Sequence, residues 1–196
     1  MDSRGRSRAR RASLAAALLA AGALVLAGLG ASVAAASAGA SATSVAPCRG
    51  AQLIGNFSIV RGSEGAGNVV YALELINRSA TTCSVSGLPH MQLLGAAHAR
   101  LPTHVRFAGI GSATAVLVVL RHGQPAWASA RFSPDVPGVG EQTTGPCERT
   151  ATSVRVTEAT ASSAVVVPVR PPTAVCEHGT MSLTLLSRHR PTSSSP

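Results

Sequence analysis

An all-β, antiparallel, immunoglobulin-like β-sandwich of about seven to nine strands is the fold this sequence predicts, preceded by an N-terminal signal helix. Three observations predict it. Apolar residues recur with a period of two in short runs, turn-forming residues separate those runs, and past residue 40 no apolar series follows helical spacing with caps. The clearest stretch is 68–95: Val69, Tyr71, Leu73 and Leu75 make one apolar face, while Val70, Ala72, Glu74 and Ile76 are mixed. That alternation is what a half-buried strand requires.

Residues 1–40 read as a signal peptide. An arginine-rich start is followed by an apolar run of Ala and Leu, then by small-residue sites such as Ala34-Ala35-Ala36. Cleavage is expected. If retained, the same segment would be a membrane anchor, and only then is a membrane a partner. Arg10-Arg11 partly resembles a twin-arginine signal, which leaves the export route open. Residues 41–47 are a small, polar linker.

The folded part, residues 48–187, opens at Cys48. A first strand is expected over 52–60 with Leu53, Phe57 and Ile59 inward, then a glycine-rich hairpin connection over 62–67. No Gly-Lys-Ser/Thr follows that connection, so it does not read as a phosphate loop. Beyond the 68–95 stretch, strands are expected over 104–107, 113–120, 126–132, 153–157, 164–169 and 181–186. The run 113–120 is apolar on both faces and is expected to be central. Residues 133–146, rich in Pro, Gly and Thr, read as a long loop, and 188–196 as a disordered tail.

All 17 basic residues are arginine and the formal net charge is +9, but five of the arginines lie in the first eleven residues beside Asp2. The remainder carries 12 arginines against 7 acids, a net of +5, scattered singly and without aromatic platforms. Nucleic acid is therefore not expected as a partner. With aromatic residues at 3%, the core must be filled by Val, Leu, Ile and Ala.

Four cysteines remain after the leader: Cys48, Cys83, Cys147 and Cys176. An even number in an exported chain reads as disulfides, and the absence of any C-x-x-C pair argues against zinc held by four sulfurs. Of three possible connectivities, Cys48–Cys83 with Cys147–Cys176 joins sequence neighbours. Each bridge would contribute about 3–4 kcal/mol through chain entropy.

Asn77-Arg78-Ser79 followed by Cys83, Val85, Gly87, Pro89, Met91 and Leu93 resembles the corner motif of the secreted actinobacterial domain-of-unknown-function family numbered 4232. The resemblance covers about residues 48–186. It implies a secreted or envelope-attached β-sandwich and no established chemistry.

Candidate chemistry is sparse. His90, His98, His104 and His122 are the material for an alternative reading as a metal-binding or hydrolytic enzyme. Their spacing offers no i, i+2 strand pair and no i, i+4 helical pair. Arg121-His122-Gly123 matches the histidine-phosphatase tripeptide without its following arginine. No G-x-S-x-G occurs, and the glutamates are dispersed along the chain. The expectation is an exported, non-enzymatic module of the cell envelope with no catalytic residue, cofactor or metal. It would bind an envelope protein or polysaccharide through the 62–67 and 133–146 loops.

Overall fold

The computed structural model describes residues 44–111, 114–159 and 163–193. The expected signal peptide and helix, residues 1–40, lie outside them. Ten strands run through the described residues: β1 (Leu53–Ile59), β2 (Val69–Asn77), β3 (Cys83–Val85), β4 (His90–Leu94), β5 (His104–Phe107), β6 (Val118–Leu120), β7 (Pro125–Phe132), β8 (Ala151–Thr157), β9 (Ala164–Thr173) and β10 (Thr180–Leu183). No described helix is long and apolar enough to cross a membrane.

β2 is the axis of the molecule. It pairs antiparallel with β1 from Leu53↔Asn77 to Ile59↔Tyr71, and with β7 from Val69↔Phe132 to Ile76↔Pro125. Flanked along its whole length, it buries Val69, Tyr71, Leu73 and Leu75 in the core, as its alternation predicts. Its second face is covered too, with Val70 and Ala72 buried. Phe57, Tyr71 and Phe132 meet one another here, with ring centroids 5.0–6.3 Å apart.

Eight strands form one sheet in the order β4-β8-β9-β1-β2-β7-β10-β5, and β3 and β6 form a two-stranded ribbon. This corrects the expected arrangement in two respects. Instead of two face-packed sheets sharing the strands, eight of the ten described strands join in one sheet, because β9 pairs with β8 over Ala164–Pro168 and then with β1 at Val169 and Arg170. Nor is the sheet wholly antiparallel, since β1–β9 and β5–β10 are parallel. Laid flat, eight strands would put the two edges about 34 Å apart at about 4.8 Å per strand. Yet the edge strands β4 and β5 are joined by residues 95–103, which turn back so that Leu94 bridges Arg100 and the Leu101 amide donates to Leu93. The sheet therefore curls nearly into a barrel, and inward residues from β4, β8, β2 and β10 share one core.

One further expectation is corrected. The run 113–120 is not a central strand: of its described residues, 114–120, only Val118–Leu120 is a strand, paired with β3, while Val116 and Leu117 are 64% and 57% exposed. Both flanks of the core sheet's centre are already taken by β1 and β7, so apolarity alone could not place this run inside. Beyond β10 the chain stays against the sheet before the exposed residues Arg188, His189 and Arg190. Ser187 exchanges both main-chain hydrogen bonds with Trp127, the Arg188 guanidinium donates to the Val119 carbonyl, and Arg190 sits 5.2 Å over the Trp127 ring.

Candidate functional site

The long loop 133–146 organises both polar regions of the surface. Its entry is set by Ser133, whose Oγ accepts from the Val136 amide at 2.9 Å while its carbonyl accepts from the Cys176 amide. Its later part is set by Glu141, whose carboxylate accepts from the amides of Gly138 at 2.6 Å, Glu177 at 2.8 Å and His178. The backbone of Glu177, His178 and Gly179 is left-handed, with φ of 54°, 55° and 76°. This conformation points the Glu177 and His178 amides the same way, a nest for an anion that Glu141 fills. Gly179 has no alternative here, since a Cβ would lie 1.9 Å from the Pro102 carbonyl oxygen.

On one side of the loop is a cleft of about 470 Å³. Gly67 closes on Val136, which brings the 62–67 hairpin against the 133–146 loop. Tyr71 forms the floor, its hydroxyl donating to the Pro171 carbonyl at 2.9 Å. Pro134 and Pro171 add apolar wall, and the lining holds two acids, Glu64 and Asp135, in a chain whose net charge is positive. Burial raises the Tyr71 phenol above its ordinary value and Glu64 adds to this, against a smaller opposing effect of Thr173.

On the other side of the loop is the Cys147–Cys176 corner. Both expected bridges are formed: Cys48–Cys83 with Cα atoms 4.8 Å apart and Cys147–Cys176 with 5.5 Å. At the second, His178 Nδ1 lies 3.6 Å from Glu141 Oε1 and 3.9 Å from Glu148 Oε1, while His178 Nε2 is 3.0 Å from the Val139 carbonyl. Burial would raise the Glu141 carboxyl, but the three amides and His178 outweigh it and hold it below its ordinary value.

The four histidines singled out from the sequence are not gathered. His90 and His104 open β4 and β5 at opposite ends of the strand order, His98 lies in the connection between them, and His122 rests on the Ser79 carbonyl at 3.1 Å. Among the described residues, the cluster of potential ligands Glu141, Glu148 and His178 contains none of them, and Cys147 and Cys176 beside Glu141 are joined in their disulfide. Only His104 comes near, lining a cavity of about 470 Å³ with His178 and Arg106. Two of the glutamates that look dispersed in sequence, Glu141 and Glu148, are thus brought together at one place. Sequence reasoning passed over His178, although Glu148 follows Cys147 directly and His178 stands two residues after Cys176, so the bridge itself implied the encounter.

The family model described as Domain of unknown function (DUF4232) matches residues 48–187. No curated protein and no solved structure matches the chain.

Proposed function

The chain belongs to the DUF4232 family of domains of unknown function, and from that premise we propose that it is an exported, non-enzymatic binding module of the cell envelope. Its curled sheet serves as a rigid frame, and its ligand is an envelope protein or polysaccharide held at the cleft over Tyr71. The observation that carries this reading is the meeting of the 62–67 hairpin and the 133–146 loop around that cleft. Two loops held on a rigid sheet, over a tyrosine with proline walls and two acids, make a recognition surface whose shape does not depend on the ligand. The two disulfides agree with an oxidising, extracytoplasmic location.

A cleft-blocking variant tests it. Gly65 lines the cleft, and a Cβ added there meets nothing within 4 Å, so Gly65→Trp should fold normally and obstruct the mouth. Affinity capture from an envelope extract should retain a specific protein or polysaccharide on the wild type and at least tenfold less on Gly65→Trp. Equal recovery on both, or none on the wild type, would refute the reading. Export itself is tested by fractionation together with the intact mass of the mature chain.

A further inference from the structure

We propose that Glu141, Glu148 and His178 form a binding site for a divalent transition-metal cation of the zinc type, built onto the Cys147–Cys176 disulfide. The three potential ligand atoms come from separate stretches of chain and all lie within 4.8 Å of one another.

The orientation of the imidazole is the first argument. A carbonyl oxygen only accepts, so the 3.0 Å contact between His178 Nε2 and Val139 places the proton on Nε2. In the neutral ring, Nδ1 then carries a lone pair, and that lone pair faces the two carboxylates. Metal-bound histidines are oriented in the same manner, by a carbonyl or carboxylate outside the ligand set that takes the other ring N–H.

The distances are the second argument. At 3.6 and 3.9 Å, Nδ1 is beyond hydrogen-bond reach of either Glu141 or Glu148. Ligand atoms about 2.0–2.1 Å from one tetrahedral zinc lie about 3.3 Å from each other, so a modest contraction around an ion accounts for the spacing. Two carboxylates and a neutral imidazole also balance a dication. The nitrogen and oxygen donors suit zinc and its neighbours, whereas calcium takes six to eight oxygens.

The site is held in place before any ion arrives. Glu141 is fixed by its three amide donors and is 2% exposed in its side chain, and the disulfide ties Glu148 to His178 through their neighbouring cysteines. Glu148 and His178 are 20% and 54% exposed, which leaves an open side for entry and for a water as fourth ligand. Glu177 adjoins the ring in sequence, and Arg106 and His104 line the cavity it borders.

Isothermal titration with zinc chloride, using the untagged mature chain with both disulfides intact and after chelator treatment, tests the proposal. One zinc per chain is expected at pH 7.5. His178→Asn and Glu148→Gln should each weaken binding at least tenfold, whereas His104→Asn and His90→Asn should leave it unchanged. His178 and Glu148 are the more exposed members, and thermal melts without zinc verify that their variants fold. Absence of heat up to millimolar zinc, equal binding by the variants, or a preference for calcium would overturn the assignment.

Discussion

The two disulfides span nearly equal lengths of chain, separations of 35 and 29 residues, yet their surroundings are opposite in kind. Cys48 and Cys83 are 0% and 1% exposed and belong to the apolar core. Beside them a neutral amide does the polar work: the buried Asn77 side chain donates to the carbonyls of Thr81 and Leu120 and accepts from the amide and hydroxyl of Ser79. At Cys147–Cys176 the equivalent work falls to a carboxylate, Glu141, with Glu148 and His178 close by. The cross-link alone therefore does not distinguish a structural corner from a chemical one; the ionisable groups around it do.

The largest expected effect breaks the bridges themselves. Replacing either cysteine pair by alanine should cost about 3–4 kcal/mol in urea unfolding, since the loop-closure entropies are nearly equal. If the corners differ as argued, only loss of Cys147–Cys176 should also abolish zinc binding, so both pairs should be titrated as well as unfolded.

Asn77→Ala should follow, costing about 2–3 kcal/mol because it leaves two carbonyls without their donor inside the fold. Unfolding at several pH values should show this cost to be independent of pH, as a neutral amide requires.

Glu141→Gln should cost less, and only above the acid range. The Glu141 carboxyl is held below its ordinary value, so its contribution is complete above the usual carboxylate range and is lost as pH falls through the lower folded value. Melting temperatures measured from pH 2.5 to 7 should therefore separate wild type from variant at neutral pH and converge in acid. Curves that stay parallel throughout would remove the proposed contrast between the corners.

Smallest is Tyr71→Phe, which removes the hydroxyl's bond to Pro171 at the cleft floor and should cost about 0.5–1.5 kcal/mol in thermal or urea unfolding.

Much of the fold is legible in particular residues. The alternation from Val69 to Leu75 names the buried face of β2, and Asn77-Arg78-Ser79 marks a turn whose asparagine proves to be a buried hydrogen-bonding hub. The pairing of cysteines that are sequence neighbours also holds. By contrast, Val116 to Leu120 is the strongest apolar run of the folded part and still misleads. Periodicity reports what a segment could bury, not which neighbours remain free to pair with it. The candidate site escaped for a related reason: His178 meets Glu141 and Glu148 across gaps of 37 and 30 residues.

By itself the sequence determined local matters: where strands and turns fall, which faces are apolar, and that four cysteines form two bridges. Those follow from backbone preference and side-chain alternation over a few residues, which any window of the chain contains. Tertiary structure alone decided that β9 joins two sets of strands into one curled sheet, that the 62–67 and 133–146 loops meet over Tyr71, and that an imidazole faces two carboxylates. Such encounters depend on pairing register and chain closure between distant segments, and the energies that select them are summed over the whole core.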